Sequence, residues 1–226
     1  MNGIALFDLD HTLLPIDSDH EWGRYLVKRG VVDGAHYAQE NERFYQDYQA
    51  GRLDIYAFLE FALQPLANHT REQLANWHAD FMQEVIQPAL RDSARQLVEQ
   101  HQSAGHICAV VTATNSFVTR PIAHAFGVEH LIATEPATEN NDPNARFTGQ
   151  VVGLPNFREG KVIRVENWLA SLNLTWATVG ETWFYSDSMN DLPLLEKVQN
   201  PIATNPDQRL RAESIRRGWK ILDLFA

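Results

Sequence analysis

The chain has 226 residues, 44% hydrophobic and 21% charged, enough to bury a full core in an ordinary globular protein. Its formal net charge of −10 excludes a general nucleic-acid binder, which needs a basic stripe, but not a site for a small anion, which one lysine and a cation can make locally positive. The single cysteine, Cys108, excludes an intramolecular disulfide, and no stretch is long enough to span a bilayer, so a cytoplasmic protein without a membrane partner is expected.

The first element is the apolar run Ile4-Ala5-Leu6-Phe7, which has no polar alternation and reads as a strand buried on both faces. Residues 16–88 then hold no convincing strand. They carry aromatic and aliphatic residues at helical spacing, among them Trp22, Tyr25 and Leu26, then Phe44, Tyr45 and Tyr48, then Phe58, Leu59 and Leu63, then Leu74, Trp77 and Phe81. Breaks at residues 30–34, at Gly51 and at residues 65–70 divide this stretch into about four helices, with the aromatics expected as packing between them.

From residue 89 the pattern alternates. Helices are predicted over 92–104, 118–126, 161–172, 192–195 and 208–217, and strands over 107–112, 131–134, 183–186, 202–204 and 219–224. Residues 139–146 read as a polar loop before half of a hairpin at 148–152. Strands alternating with helices imply an α/β fold with a parallel sheet and right-handed crossovers, interrupted after its first strand by the helical stretch.

Four stations fall at strand ends or helix starts, the edge where open α/β sheets bind ligands. The first is Asp8 and Asp10: side chains two apart on a strand point the same way, and two crowded carboxylates need a proton or a hard cation such as Mg²⁺ between them. At the second, the Thr112 hydroxyl could donate to a phosphate oxygen, with the small Ala113 letting backbone N–H groups approach an anion, although helix capping explains the same residues. At the third, Lys161 opposes the dipole of the helix it begins, which makes sense if an anion sits there; a solvated lysine is the alternative, and Arg158 and Arg164 compete for the role. The fourth pairs Asp187 and Asp191 across a turn, as cation ligands or as helix caps. The nine histidines show no ligand-like pair, and Cys108 lies in an apolar run that suits a buried thiol.

The segment Phe7-Asp8-Leu9-Asp10-His11-Thr12-Leu13-Leu14 resembles the D-x-D-x-T motif of the haloacid dehalogenase superfamily, and Asp187-Ser188-Met189-Asn190-Asp191 resembles its D-S-x-x-D motif. Thr112 and Lys161 fall where the second and third motifs belong. The resemblance implies a Rossmann-like core at 1–15 and 89–226, and a C1-type helical cap at 16–88 like that of the phosphoserine-phosphatase-like branch, subfamily IB. It further implies Asp8 as nucleophile, Asp10 as general acid and base, and Mg²⁺ held by Asp8, the Asp10 carbonyl and Asp187. Asp191 would be a ligand through water or a partner of Lys161. Thr112, Lys161 and backbone amides near Leu9 and Ala113 would hold the phosphoryl oxygens.

The implied substrate is a small phosphorylated metabolite. Gly51-Arg52-Leu53 is similar to the phosphoserine phosphatases, but the arginine they carry near Glu60-Phe61-Ala62 is absent at those positions, unless Arg52 or Arg43 substitutes, and Asp17 stands where they have glutamate. Acids at Asp17, Asp19 and Glu21 without that arginine favour an amino-alcohol phosphate such as histidinol phosphate or a phosphoethanolamine-like compound, with Asp17 as a substrate-binding residue, although solvated helix caps explain the same acids. Phosphoserine remains the alternative substrate, and a catalytically silent phosphometabolite-binding protein on the same fold the alternative class.

Overall fold

The computed structural model describes residues 3–225. Strand β1 (Ile4–Phe7) is buried along its whole length at the centre of a six-stranded sheet. The other strands of that sheet are β2 (Ile107–Asn115), β3 (His130–Thr134), β6 (Thr182–Ser186), β7 (Asn200–Thr204) and β8 (Lys220–Leu222), in the order β3-β2-β1-β6-β7-β8 and parallel throughout. Leu6 lies opposite Ala109 on one side and Phe184 on the other.

The period of two divides the sheet between two cores. Ala5 and Phe7 join Val110 and Tyr185 on one face; Ile4 and Leu6 join Ala109, Val111 and Phe184 on the other. The first face is covered by α6 (Asp92–Ser103) and α7 (Ser116–Ala125), through Leu97, Val98, Val118 and Ile122. The second is covered by α8 (Glu159–Ser171), α9 (Leu192–Leu195) and α10 (Gln208–Arg217), through Val165, Leu169, Leu194 and Leu210. Each such side chain contributes about 1.5–3 kcal/mol by leaving water. Cys108 is buried as expected, and burial pushes its thiol up to about 11.

Between β1 and β2 lie α1 (Ser18–Lys28), α2 (Gly34–Gln49), α3 (Ile55–Asn68) and α4 (Arg71–Phe81), then a π-helical turn (Met82–Ile86) and the short α5 (Gln87–Ala89). Side chains start them where the sequence offers caps: Asp17 for α1, Asp54 for α3, and a reciprocal Thr70–Gln73 box for α4. These helices do not share one core. Trp22, Tyr25 and Leu26 of α1 and Phe81 of α4 belong to the same cluster as Phe7 and Val110, whereas α2 and α3 pack through separate small clusters. Gly51 ends α2 with φ +69°, and a Cβ there would collide with the Arg209 guanidinium.

The elements differ from their sequence expectation mainly at their ends. Strand β2 runs on to Asn115, whose side chain then accepts from Val118 N and caps α7. Helix α8 begins at Glu159, ahead of Lys161 rather than on it. Strand β8 stops at Leu222 because Asn205 Oδ1 accepts from Leu224 N and Phe225 N and turns the chain. The hairpin is real: β4 (Pro136–Thr138) pairs antiparallel with β5 (Phe147–Val151), and Phe147 packs on Leu59 and Leu63 of α3. Among the described residues, no helix is long and apolar enough to cross a membrane.

Candidate active site

The carboxyl ends of β1, β2 and β6 bring the four stations together. Beyond Phe7 the chain turns tightly: Leu9 O accepts from the N–H groups of Thr12, Leu13 and Leu14, and His11 takes φ +56°. Asp8 is thereby left 4% exposed at the end of β1. Lys161 Nζ donates to Asp8 Oδ1 at 2.9 Å and to Asp191 Oδ2 at 2.7 Å, and Ser186 Oγ donates to the same Asp191 oxygen at 2.8 Å. Lys161 reaches this place because α8 starts against the preceding loop, where any Cβ at Gly160 would run into the Pro155 carbonyl. A cation in the first helical turn opposes the helix dipole, and the two carboxylates compensate.

Thr12 serves the fourth station. Its hydroxyl accepts from Asp187 N at 3.0 Å and lies 3.4 Å from Asp187 Oδ1. Asp10 points elsewhere. Its Oδ1 accepts from Ser18 N at 2.7 Å, one of the unpaired N–H groups of the first turn of α1, and its Oδ2 accepts from Thr114 Oγ1 at 2.9 Å. Thr112 is buried with its Oγ1 accepting from Thr114 N at 3.2 Å, and Ala113 packs beside Phe44, Leu53 and Phe157. Asn156 holds this bend in place by donating to Thr112 O and Ile132 O, each at 2.8 Å.

Burial dominates the electrostatics. It raises Asp8 to about 7, with Lys161 pulling down and Asp191 and Asp10 pushing up. Burial also raises Asp10 to about 6, helped by Asp17 and opposed by the Ser18 and Thr114 hydrogen bonds. Asp187 is held well above the usual carboxylate range by burial and by Asp8 and Asp191. For Lys161 burial acts downward, but Asp191 and Asp8 outweigh it and the ammonium is raised above its ordinary value. Several buried acids thus face one buried cation, an arrangement short of positive charge.

A hard cation fits that shortage, because the donors are all oxygen. Among the described residues no three His, Cys, Asp or Glu side chains form a ready ligand cluster. Each Asp10 oxygen accepts one hydrogen bond, from Ser18 N and from Thr114 Oγ1, while Lys161 and Ser186 both donate to Asp191 Oδ2. Asp8 and Asp187, each buried and raised by neighbouring carboxylates, are the groups such a cation would relieve.

A cavity opens above these groups, floored by Asp8, Asp10, Thr112 and Lys161. Asp17, Asp19, His20 and Asn41 form one side; Phe44, Tyr45, Tyr48, Phe58 and Phe157 form the apolar wall. Among the described residues lining it there is no arginine. Asp17 reaches the cavity while its Oδ1 accepts from His20 N at 2.8 Å, so the cap of α1 is also a wall of the pocket. The aromatics divide accordingly: Trp22, Tyr25 and Phe81 are core, as expected of all of them, whereas Tyr45, Tyr48 and Phe58 face the cavity. Sequence reasoning missed Thr114, Ser18, Ser186 and Asn156. Only Thr114 carried a signal, being two residues beyond Thr112 at a strand end.

A model of the haloacid dehalogenase-like hydrolases matches residues 5–196. The histidinol-phosphatase of Neisseria meningitidis serogroup C is 46% identical over 223 residues, covering 99% of both chains. A crystal structure of a protein with unknown function from Bordetella pertussis Tohama I is 49% identical, covers 100% of both chains and superimposes with a TM-score of 0.93. A substrate-bound phosphoserine phosphatase structure superimposes with a TM-score of 0.68 over 98% of this chain and 93% of the other, at 16% identity, a likeness of fold.

Proposed function

The chain belongs to the haloacid dehalogenase-like hydrolase family, and from that premise we propose that it is a Mg²⁺-dependent phosphomonoesterase acting on histidinol phosphate through an aspartyl-phosphate. The observation that carries the chemistry is the buried Lys161 ammonium bound at once to Asp8 and Asp191, which favours the ionised form of an attacking carboxylate against the effect of burial and meets the incoming phosphoryl oxygens.

In this reading an oxygen of Asp8 attacks phosphorus in line, and the bond to the substrate alcohol breaks. Asp10, raised to about 6 and steadied by Ser18 N and Thr114 Oγ1, gives its proton to the leaving oxygen. It then takes a proton from the water that attacks the aspartyl-phosphate, releasing inorganic phosphate and restoring Asp8. Lys161 and Thr112 hold the phosphoryl oxygens, and Asp191 fixes the lysine. Mg²⁺ would be held by Asp8, Asp187 and the Asp10 carbonyl, where it would offset charge on the phosphoryl group.

The cavity supports the substrate. Asp17 and Asp19 suit an ammonium group, Tyr45, Tyr48 and Phe58 suit a flat ring, and among the described residues lining the cavity no arginine offers a bidentate partner for a substrate carboxylate. The curated relative at 46% identity bears the name of that activity. Phosphate release should be measured with Mg²⁺ from histidinol phosphate, phosphoserine and phosphoethanolamine, with chelator and Asp8→Asn as controls. Histidinol phosphate should give the highest kcat/KM. A preference for phosphoserine would overturn the substrate, and release that survives Asp8→Asn would overturn the mechanism.

A further inference from the structure

Arg158 stands one residue before α8 with φ 50° and ψ −122°, a left-handed conformation that favours glycine. No turn chemistry demands an arginine there, so the side chain must account for the strain. Its guanidinium lies over the Phe157 ring, 4.9 Å from the centroid. Its Nη2 donates to Gly51 O at 2.5 Å and lies 3.4 Å from Asn190 Oδ1. Asn190 in turn donates its Nδ2 to Tyr48 O at 3.3 Å. Tyr48 belongs to the last turn of α2, whose end carries partial negative charge, and Gly51 to the bend after it, where Gly51 N also donates to Tyr48 O at 3.0 Å.

We propose that Arg158 and Asn190 form a clasp that holds the α2–α3 turn down over the active-site cavity, and that Arg158 is a positioning residue for the hydrolase reaction. Both halves of the clasp are tied to the site. On the covering side, Tyr48 and Leu53 line the cavity around the gripped turn. On the sheet side, Arg158 is three residues before Lys161 and adjacent to the cavity residue Phe157, and Asn190 adjoins Asp191, which holds Lys161. Closing the turn therefore seats the aromatic wall against the same two segments that present the lysine and its partner. The clasp is also easily opened: a few hydrogen bonds to main-chain carbonyls, at a partly exposed arginine, hold a segment that must move for substrate to enter.

The proposal rests on the reading of the cavity as the substrate site, so its first test needs no substrate. Amide hydrogen exchange would be followed by mass spectrometry in the full chain as wild type, Arg158→Gly and Arg158→Lys. Glycine accepts the backbone conformation, so thermal stability should be kept while exchange across residues 44–58 rises at least tenfold. Lysine, which can still donate once, should fall between. Steady-state hydrolysis of para-nitrophenyl phosphate with Mg²⁺ then gives the second readout. If the closed state becomes one-tenth populated, KM rises about tenfold with kcat little changed. Exchange across 44–58 within twofold of wild type in Arg158→Gly would overturn the clasp, as would a fall in kcat at unchanged KM. If Arg158→Gly does not fold, Asn190→Ala takes its place with the same expected rise in exchange and the same overturning result.

Discussion

Lys161 Nζ lies 2.9 Å from Asp8 Oδ1 across 153 residues of sequence, and both side chains are almost wholly withdrawn from water. Asp191 completes the arrangement on the other side of the ammonium. Removing one member of a buried ion pair leaves the others uncompensated, which typically costs about 3–5 kcal/mol. Lys161→Met should therefore lose stability of that order in chelator, and less when Mg²⁺ is present to answer the same charge. Urea unfolding under both conditions checks this; an equal loss in both would show that the cation does not sit beside Asp8.

In the proposed mechanism Asp10 moves the proton, held in place by Ser18 N and Thr114 Oγ1. Asp10→Asn keeps the shape and can still accept from Ser18 N. Its kcat should fall by about 10²–10⁴-fold with little change in melting temperature. Thr114→Val removes a hydrogen bond that favours the ionised form of Asp10, so Asp10 should hold its proton to higher pH. The descending limb of kcat/KM against pH should move upward in that variant, and a limb that stays in place would assign it to another group.

Metal binding should be linked to pH through Asp8. Its folded-state pKa is raised from 3.8 to about 7, so between those values the folded state holds the proton longer than the unfolded chain. Its contribution to stability is therefore present at low pH and is lost as pH rises through about 7. A cation that binds the ionised form reverses this loss. Mg²⁺ should raise the melting temperature more at pH 8 than at pH 5.5, and at a hundredfold excess over Kd the gain is about 2.7 kcal/mol. Thermal scans with Mg²⁺ and with chelator at the two pH values measure it.

A second linkage, of opposite sign, lies beneath the sheet. His101 Nε2 is 2.7 Å from the Tyr185 hydroxyl and its Nδ1 is 2.9 Å from His106 Nδ1, with Trp183 and Phe7 packed against the ring. Burial, then His106, lowers His101 from 6.5 to about 4. The unfolded chain takes up this proton first, so the contribution is full above about 6.5 and is lost as pH falls toward 4. His101→Gln should be less stable than wild type at pH 7, and the gap should narrow steadily as pH falls from about 6.5 toward 4. Parallel stability curves over that range would refute the assignment.

The sequence by itself determined the sheet, the order of its strands with helices, and the place of the acids. A four-residue apolar run ending in Asp8 reads as a buried strand and Gln208–Arg217 as a helix, and the structure has both, the helix bounded by Asp207 and Gly218. Those signals are local, carried by periodicity and capping. What only the tertiary structure decided is which polar groups meet. Asp10 turns away from Asp187 because Ser18 N and Thr114 Oγ1 claim its oxygens, and Asp191 serves Lys161 because Ser186 holds it there. Four of the seven phenylalanine and tyrosine residues of α2 and α3, Phe44, Tyr45, Tyr48 and Phe58, line the cavity, a fact without any sequence period. Spacing along a strand says which side chains share a face; only packing says which of their oxygens remain free.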